Sequence, residues 1–169
     1  MTRPFNILFL CTGNSARSIL SEAILNREGE GRFQAFSAGS FPKGDVHPAA
    51  LALLGELEYS AEGYRSKSWD EFVGPEAPPL DFIFTVCDNA AGEMCPIWPG
   101  KPVTAHWGIE DPAAVEGDGQ REAFWRAYLA LKRRIDLLVA LPLASLDELS
   151  LAERLCAIGK TADEEAVLG

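Results

Sequence analysis

The amino-acid sequence predicts an α/β fold in which helices cover both faces of a parallel sheet. Short runs of strand length recur along the chain, and segments with the helical spacing of apolar residues separate them. This alternation is typical of a sheet built from strand–helix–strand units. The 169 residues fit one domain. A chain of this size buries roughly 70% of its unfolded surface, so it needs no disulfide or metal ion for stability.

The predicted elements follow one another in regular order along the chain. We expect strands at 5–10, 33–38, 81–86 and 102–107, each a short run of mainly apolar residues. We expect helices near 17–29, 47–57, 68–74 and 120–141. Ser68 is placed to cap the short third helix, and Pro142 ends the long fourth one. Clusters of proline and glycine mark the turns between these elements.

A last helix is predicted near 145–158, because Ser145 and Glu148 have the spacing of a capping box. Four apolar residues would form a stripe by which this helix docks on the rest of the protein: Leu146, Leu149, Leu155 and Ile158. We expect Cys156, in the middle of the helix, to be a packing residue.

The C-terminal part is predicted to extend a main domain. We place the main domain at 1–142 and a helical extension at 143–169, since Pro142 separates the two. Residues 160–169 are polar and acidic, and we expect them to form a mobile tail.

The overall charge and hydropathy exclude several classes of function. The net charge of −10 argues against a nucleic-acid surface, which would need a basic stripe. It also means that local positive charge must hold any anionic substrate. No apolar run reaches the roughly 20 residues of a membrane span, and the first residues lead directly into a strand, which leaves no room for a signal peptide. We therefore expect a cytoplasmic protein without membrane contact, where cysteines are more often reactive than structural.

The segment from Cys11 to Ser18, Cys-Thr-Gly-Asn-Ser-Ala-Arg-Ser, is a candidate site for a tetrahedral oxyanion. It lies between the first predicted strand and the first predicted helix. Successive backbone N–H groups can surround an anion there, and the positive end of the helix faces it. Arg17 adds a planar fork that matches two anion oxygens. The same positive charges can lower the pKa of the Cys11 thiol from about 8.5 to roughly 3.5–7.5. The segment can therefore both bind an oxyanion and attack it.

The residues expected to bind the anion are Thr12, Gly13, Asn14, Ser15, Ala16, Arg17 and Ser18, with Cys11 as the nucleophile. The alternative is a small buried cysteine followed by an ordinary turn. We favour the functional interpretation because a predicted strand and a predicted helix flank the segment as the chemistry requires. The Gly-x4-Gly-Lys-Ser/Thr spacing of a nucleotide-binding loop is missing.

Two further cysteines, Cys87 and Cys95, lie on the loop after the third predicted strand. Parallel strands end at the same edge of a sheet, so Cys87 and Cys11 can both reach that edge. A thiolate that has attacked a substrate can be relieved by a second thiol, and the new disulfide can pass to a third. We favour this redox chemistry over a zinc site or a pair of inert thiols. Zinc would need four closely spaced ligands, and neither His47 nor His106 has such spacing, so we expect no metal ion.

Asp111 is a candidate general acid. An Asp-Pro pair is by itself a common turn. Asp111 and Pro112, however, follow the fourth predicted strand. A carboxyl group on a loop at the strand ends can protonate an oxygen that leaves the substrate.

Taken together, these three features resemble the arsenate reductases built on the low-molecular-weight tyrosine phosphatase fold. Ser37-Ala38-Gly39 after the second strand and His106-Trp107-Gly108 before Asp111 add to the likeness, which covers roughly residues 5–140. The resemblance implies a three-layer fold with a four-stranded parallel sheet. This chain adds an extra C-terminal helix to that fold.

The resemblance implies a relay of three cysteines. The Cys11 thiolate would attack arsenate while Asp111 protonates the leaving oxygen. Cys87 would then attack the Cys11–arsenic adduct, which releases arsenite and leaves a Cys11–Cys87 disulfide. Cys95 would convert this into a Cys87–Cys95 disulfide, to be reduced by thioredoxin or by glutathione with glutaredoxin. No cofactor is implied.

The resemblance also implies supporting roles around the loop. Ser18 would hydrogen-bond the thiolate, and Asn14 would hold the shape of the loop. Some relatives bind a potassium ion near Asn14, Glu22 and Ser37. The acidic residue that completes this ion site is matched here by Lys67. An ammonium group at that place could replace the ion, so we predict no potassium requirement.

Two other functions stay open. A low-molecular-weight protein tyrosine phosphatase would form a phosphoenzyme on Cys11 and use Arg17 and Asp111, but it would need no partner thiols. Phosphatases of the family typically follow Asp-Pro with tyrosines, where this chain has Ala113-Ala114. Phe41 can still supply an aromatic wall, so we expect weak phosphatase activity. A non-catalytic oxyanion or redox sensor is disfavoured, because the nucleophile, the arginine and the acid are all present.

Overall fold

The computed structural model describes residues 4–59, 63–86, 102–147 and 149–158. Its strands are β1 (Phe5–Leu10), β2 (Phe33–Ala38), β3 (Phe82–Thr85) and β4 (Val103–His106). Its α-helices are α1 (Arg17–Glu28), α2 (Pro48–Glu56) and α3 (Gln120–Val139), followed by α4 at 149–158. Short 3-10 turns lie at Trp69–Phe72, Pro112–Ala114, Gly117–Gly119 and Leu143–Ser145. None of the helices in the described ranges is long and apolar enough to cross a bilayer.

The four strands form one parallel sheet in the order β2-β1-β3-β4. Leu10, at the end of β1, pairs with Ala38 of β2 and with Thr85 of β3. Thr85 in turn pairs with His106 of β4. The carboxyl ends of all four strands therefore lie at one edge of the sheet. This confirms the predicted α/β fold with a four-stranded parallel sheet.

Apolar clusters cover both faces of the sheet. The larger cluster joins one face to α1, α2, α3 and α4 and includes the fully buried Phe9 and Ile24. The smaller cluster holds Leu8 and Leu10 against Phe72 of the first 3-10 turn. Successive residues of a strand point to opposite faces, so β1 is buried on both sides. The central strand that leads to the candidate site is thus part of both halves of the core.

The segment predicted to be the third helix, 68–74, holds a single 3-10 turn at Trp69–Phe72 instead. Ser68 caps it as expected, because its side-chain oxygen accepts a hydrogen bond of 3.1 Å from the N–H of Asp70. A Gly-Pro pair follows the turn after one residue, and neither residue favours further helix. The predicted start is therefore right and the predicted helix is wrong.

The C-terminal helix begins later than predicted, because Asp147 caps it instead of Ser145. Ser145 is the last residue of a 3-10 turn. Asp147 Oδ1 accepts a hydrogen bond of 2.7 Å from the N–H of Ser150, and this bond holds the pKa of Asp147 below its usual value. An aspartate is as good a cap as a serine, so the local sequence offered two starts and the later one forms.

The buried face of α4 differs from the predicted one, because residues at i, i+4 and i+7 share a helix face and Leu149 does not belong to that series. Leu149 is 72% exposed and Cys156 is exposed, so the prediction that they pack is wrong for both residues. The buried stripe consists of Leu151, Leu155 and Ile158, which belong to the main core cluster. The helix thus docks on the rest of the protein as expected, and a division of the chain at residue 142 stays a proposal. The predicted mobile tail at 160–169 lies outside the described residues.

Candidate active site

A pocket of about 170 Å³ opens at the carboxyl edge of the sheet. Its lining residues are Cys11, Thr12, Gly13, Ser15, Ala16, Arg17, Phe41, Lys43 and Asp111. The predicted nucleophile, the predicted anion-binding arginine and the predicted acid therefore surround one cavity. Asn14 and Ser18 are fully buried and do not line it. The two remaining predicted site residues, Cys87 and Cys95, lie outside the described residues.

Backbone hydrogen bonds fix the loop between β1 and α1. Three of its carbonyl oxygens accept hydrogen bonds of 2.8, 2.9 and 3.0 Å from the segment that follows β2. The C=O and the next N–H of a peptide point in opposite directions. These bonds therefore turn the following amides towards the pocket, as an anion-binding loop requires. The three acceptor–donor pairs are Thr12 with Phe41, Gly13 with Lys43, and Ser15 with His47.

Gly39 lets the end of β2 approach this loop closely. A Cβ atom at Gly39 would lie 2.4 Å from the carbonyl oxygen of Thr12 and 2.7 Å from that of Cys11. Real side chains do not tolerate such contacts, so the glycine of the Ser37-Ala38-Gly39 segment is required by packing. A side chain there would displace the loop that carries the nucleophile.

Asn14 and Ser18 connect the loop internally. Asn14 has a left-handed backbone with φ 45°, a conformation that asparagine tolerates better than most residues. Its Nδ2 donates to Ser18 Oγ at 2.8 Å, and its Oδ1 accepts from the N–H of Lys67 at 2.8 Å. Because Ser18 Oγ is the acceptor of the first bond, its hydroxyl hydrogen can be donated to another group. This geometry supports the expected hydrogen bond from Ser18 to the Cys11 thiolate.

Arg17 lines the pocket, and two contacts hold its guanidinium in place. Its Nη1 donates to the carbonyl of Ile109 at 3.0 Å, and its Nη2 lies 3.6 Å from Asp111 Oδ2. Its Nε is buried and has no hydrogen-bond partner among the described residues. An unpaired buried donor costs roughly 1–3 kcal/mol. Arg17 lines the pocket, so its role in binding an oxyanion there stays a prediction.

Asp111 is anchored through one oxygen and open through the other. Its Oδ1 accepts a hydrogen bond of 3.0 Å from the N–H of Ala113 and so caps the 3-10 turn at Pro112–Ala114. Its Oδ2 faces Arg17 at 3.6 Å, and 39% of the side chain is exposed. A fixed carboxyl group that lines the pocket and reaches water can deliver a proton there and regain it.

Glu22 and Lys67 form a buried ion pair near the loop. Lys67 Nζ lies 3.9 Å from Glu22 Oε1, and the two side chains are only 9% and 14% exposed. Glu22 Oε1 also accepts a hydrogen bond of 2.5 Å from Ser37 Oγ, and Lys67 Nζ donates to the carbonyl of Arg65 at 3.1 Å. Burial raises the pKa of Glu22 and lowers that of Lys67, while the opposite charge of each partner acts against these shifts. The ammonium group therefore lies beside Glu22, one of the three residues near which the resemblance placed the potassium ion of some relatives.

Lys43 is a site residue that the sequence analysis missed. It lines the pocket, and its N–H bonds the carbonyl of Gly13 at 3.0 Å. Its aliphatic chain crosses Gly13 so closely that a Cβ atom there would lie 3.2 Å from Lys43 Cε. Within the described ranges no carboxylate lies within ion-pair distance of its ammonium group. Its only signal in the sequence was a cation in the proline- and glycine-rich segment after β2.

Comparisons with known proteins agree on the family. A family model described as "Low molecular weight phosphotyrosine protein phosphatase" matches residues 6–150. An arsenate reductase of Halalkalibacterium halodurans is 31% identical over 129 residues, which are 76% of this chain and 88% of that protein. The crystal structure of an arsenate reductase from Archaeoglobus fulgidus matches with 28% identity and a TM-score of 0.59, over 77% of this chain and 98% of that one. A low-molecular-weight protein tyrosine phosphatase from T. tengcongensis, 21% identical, has the same fold, with a TM-score of 0.65 over 80% of this chain and 97% of that one.

Proposed function

Because the chain belongs to the low-molecular-weight phosphotyrosine protein phosphatase family, we propose that it is an arsenate reductase of that family. The observation that carries this proposal is the pocket, which places Cys11, Arg17 and Asp111 around one cavity. Curated relatives that share about a third of their residues with this chain over most of their length carry the same activity in their names.

The first step would be an attack of the Cys11 thiolate on arsenate. The loop amides and the free edge of Arg17 would hold the arsenate oxygens. A sulfur–arsenic bond would form as an arsenic–oxygen bond breaks, and Asp111 would give its proton to the departing oxygen, which leaves as water. The positive end of α1 and Arg17 favour the thiolate over the thiol, so the nucleophile is ready at neutral pH.

The second step would reduce the arsenic. Cys87 would attack the sulfur of the Cys11–arsenic adduct, the arsenic would keep the electron pair of the broken bond, and arsenite would leave. A Cys11–Cys87 disulfide would remain. Support comes from Val86, the last described residue before Cys87, whose N–H donates to the carbonyl of Leu10 at 2.9 Å. The chain before Cys87 therefore runs next to the residue before Cys11.

The third step would return the enzyme to its reduced state. Cys95 would attack the Cys11–Cys87 disulfide and form a Cys87–Cys95 disulfide, which frees the Cys11 thiolate. We propose thioredoxin as the electron donor, with glutathione and glutaredoxin as the alternative pair. Both donors belong to the cytoplasm, the compartment that we propose for this protein.

The relay is tested by replacing Cys87 with alanine. With arsenate, thioredoxin, thioredoxin reductase and NADPH, the wild type should oxidise NADPH, whereas Cys87→Ala should fall to the background rate. Hydrolysis of an aryl phosphate by Cys87→Ala should stay within about twofold of the wild type, because hydrolysis needs no second thiol. Cys156→Ala, which removes an exposed cysteine, is the matched control and should change neither activity.

The outcomes of this experiment separate the candidate functions. If Cys87→Ala loses both activities equally, or loses neither, the relay is wrong. If NADPH oxidation requires glutathione and glutaredoxin instead of thioredoxin, the relay stands and the donor is corrected. A wild type that hydrolyses aryl phosphates and leaves arsenate unreduced with either donor would be a phosphatase.

Phosphatase activity is the second candidate function, and Phe41 favours it. This aromatic ring lines the pocket and is 73% exposed, so it can contact the aryl group of a phosphate ester. Phosphate and arsenate have the same shape and charge, so the same loop can hold both. We therefore expect weak hydrolysis through a Cys11 phosphoenzyme beside arsenate reduction.

The charge of Lys43 is expected to lower the KM for arsenate. Lys43→Met should raise KM by about threefold to tenfold with little change in kcat, since the ammonium group attracts substrate and transition state alike. The effect should shrink as salt is added. Steady-state kinetics at low and high ionic strength measure this, and Lys132→Met, which does not line the pocket, is the control. An unchanged KM at low salt would contradict the assignment.

Potassium is expected to have no specific effect on turnover. The Lys67 ammonium already lies 3.9 Å from Glu22 Oε1, so a second cation there would be repelled. Arsenate turnover should be equal in potassium and choline salts of the same ionic strength. If arsenate turnover were severalfold faster in the potassium salt than in the choline salt, Lys67 would not replace the ion.

A further inference from the structure

The segment from Trp107 to Asp111 carries two groups that shape the pocket. The carbonyl of Ile109 accepts the hydrogen bond of 3.0 Å from Arg17 Nη1. Asp111, two residues later, places its carboxyl group 3.6 Å from Arg17 Nη2. A shift of this segment would therefore move the arginine and the acid together.

Arg134 of α3 holds the start of this segment from inside the protein. Its side chain is completely buried. Its Nη1 donates hydrogen bonds to the carbonyls of Trp107 and Gly108, the second at 3.3 Å. Burial lowers the pKa of Arg134 to about 10, so the group is still a cation at neutral pH. A buried cation is unfavourable unless its hydrogen bonds are made, and those bonds fix the two carbonyls.

Trp107 connects the same segment to α4. Its ring is fully buried and stacks on Phe84 with a centroid distance of 4.1 Å and an interplanar angle of 15°. Its indole N–H donates to the carbonyl of Leu155 at 2.9 Å. Leu155 itself is fully buried in the main core cluster. The first residue of the acid-bearing segment is therefore bonded to a helix 48 positions further along the chain.

The helix that provides this bond lies at the limit of the family match. The family model ends at residue 150, whereas α4 runs to 158. Leu155 lies outside the matched residues and Trp107 lies within them, so this hydrogen bond joins the matched domain to the segment that follows it.

We propose that α4 is a positioning element of the active site, which holds Trp107 through the Leu155 carbonyl and thereby keeps Ile109 and Asp111 in place at the pocket. Arg134 acts with it from the side of α3. This inference rests on the proposed function, in which Asp111 is the general acid. It gives the C-terminal extension a role in proton delivery to the leaving group.

General-acid placement can be measured with two aryl phosphates. Phenyl phosphate has a poor leaving group that needs a proton, whereas p-nitrophenyl phosphate has a good one that needs it less. A misplaced acid lowers kcat/KM more for phenyl phosphate, but general loss of structure lowers both alike. Asp111→Asn shows the effect of losing the acid completely. It should lower kcat/KM for phenyl phosphate by about 100-fold or more, with a clearly smaller loss of kcat/KM for p-nitrophenyl phosphate.

Leu155→Ala is the principal test variant, and Leu149→Ala is its matched control. Both residues are leucines of α4, but Leu155 is fully buried while Leu149 is 72% exposed. Leu155→Ala should lower kcat/KM for phenyl phosphate by about tenfold and for p-nitrophenyl phosphate by less than about twofold. Leu149→Ala should change neither value. Trp107→Phe, which keeps the ring stack and loses the indole N–H, should repeat the selective loss if Leu155→Ala does not fold.

The ratio of the two losses decides the outcome. Equal losses for both aryl phosphates in Leu155→Ala and in Trp107→Phe would overturn the inference and leave the proposed function intact. If Asp111→Asn itself shows no dependence on the leaving group, the acid assignment in the proposed function fails.

Discussion

Cys11→Ser is expected to abolish arsenate reduction and aryl phosphate hydrolysis together. The Cys11 thiol lies at the start of the anion-binding loop and is only 5% exposed. A serine hydroxyl is not ionised at neutral pH, and among the described residues that line the pocket no histidine is present to act as its base. It also cannot supply the electrons that reduce arsenic. Both rates should fall by roughly 10,000-fold or more.

Alkylation gives an independent measurement of the same thiol. Cys11 is buried and Cys156 is exposed, so access alone would favour Cys156. If iodoacetamide labels Cys11 first below neutral pH, as we expect, only a lowered pKa of the Cys11 thiol can explain the order. Peptide mass spectrometry over a pH series measures it. Prior labelling of Cys156 would show that the loop does not ionise its cysteine.

Arg17→Lys is expected to lower kcat/KM for arsenate by roughly 100- to 1,000-fold. Lysine keeps the charge but loses the planar fork, which donates to the carbonyl of Ile109 and can match two oxygens of an oxyanion. The KM and kcat should both worsen, because the fork binds the substrate and matches the charge of the transition state. Steady-state kinetics of arsenate reduction measure the loss.

Arg27→Lys is the matched control for this change. Arg27 lies on the same helix, but its Nη1 bonds the carbonyl of Leu57 and its guanidinium covers the Tyr59 ring at 4.1 Å. Its replacement should leave kcat/KM within about twofold. If Arg17→Lys kept more than a tenth of the wild-type kcat/KM, the fork would not be the main anion ligand.

Strand positions could be predicted closely from the sequence. The predicted 5–10 and 33–38 match β1 and β2, and the other two predictions are one residue too long at each end. Three of the four extra residues still form sheet-like hydrogen bonds: Asp81 with Asn6, Val86 with Leu10, and Trp107 with Thr85. Apolar runs predict strands well here because the sheet is buried on both faces.

Local sequence patterns failed where a helix had two equally good capping residues, and where a residue contacts partners that are far away in the sequence. Asp147 displaced Ser145 as a helix cap. The buried stripe of α4 follows the i, i+4, i+7 spacing of Leu151, Leu155 and Ile158, which leaves Leu149 and Cys156 on the surface. Arg134 carries no local signal, since its partners at Trp107 and Gly108 are 27 and 26 residues away. Lys43 was missed for the same reason, because only the fold brings it over Gly13.

The reactive residues of the candidate site could be predicted from the sequence, whereas the contacts that hold them in place could not. Cys11, Arg17 and Asp111 were named from their positions after strands and before a helix, and the pocket brings them together. The hydrogen bond from Arg17 to Ile109, which joins the first loop to the segment that carries Asp111, spans 92 residues. No local sequence pattern encodes such a contact. The assignments of Cys87 and Cys95 stay predictions, since both lie outside the described residues.

The close approach of Gly39 to the nucleophile loop makes one side of the cavity rigid. With backbone bonds from Phe41, Lys43 and His47 on the same side, that wall is shaped once, when the chain folds, and arsenate does not have to organise it. We therefore expect any rearrangement during a catalytic cycle to involve other parts of the pocket. Ligand-induced changes in amide exchange should accordingly be small at residues 39–47 and larger elsewhere around the pocket.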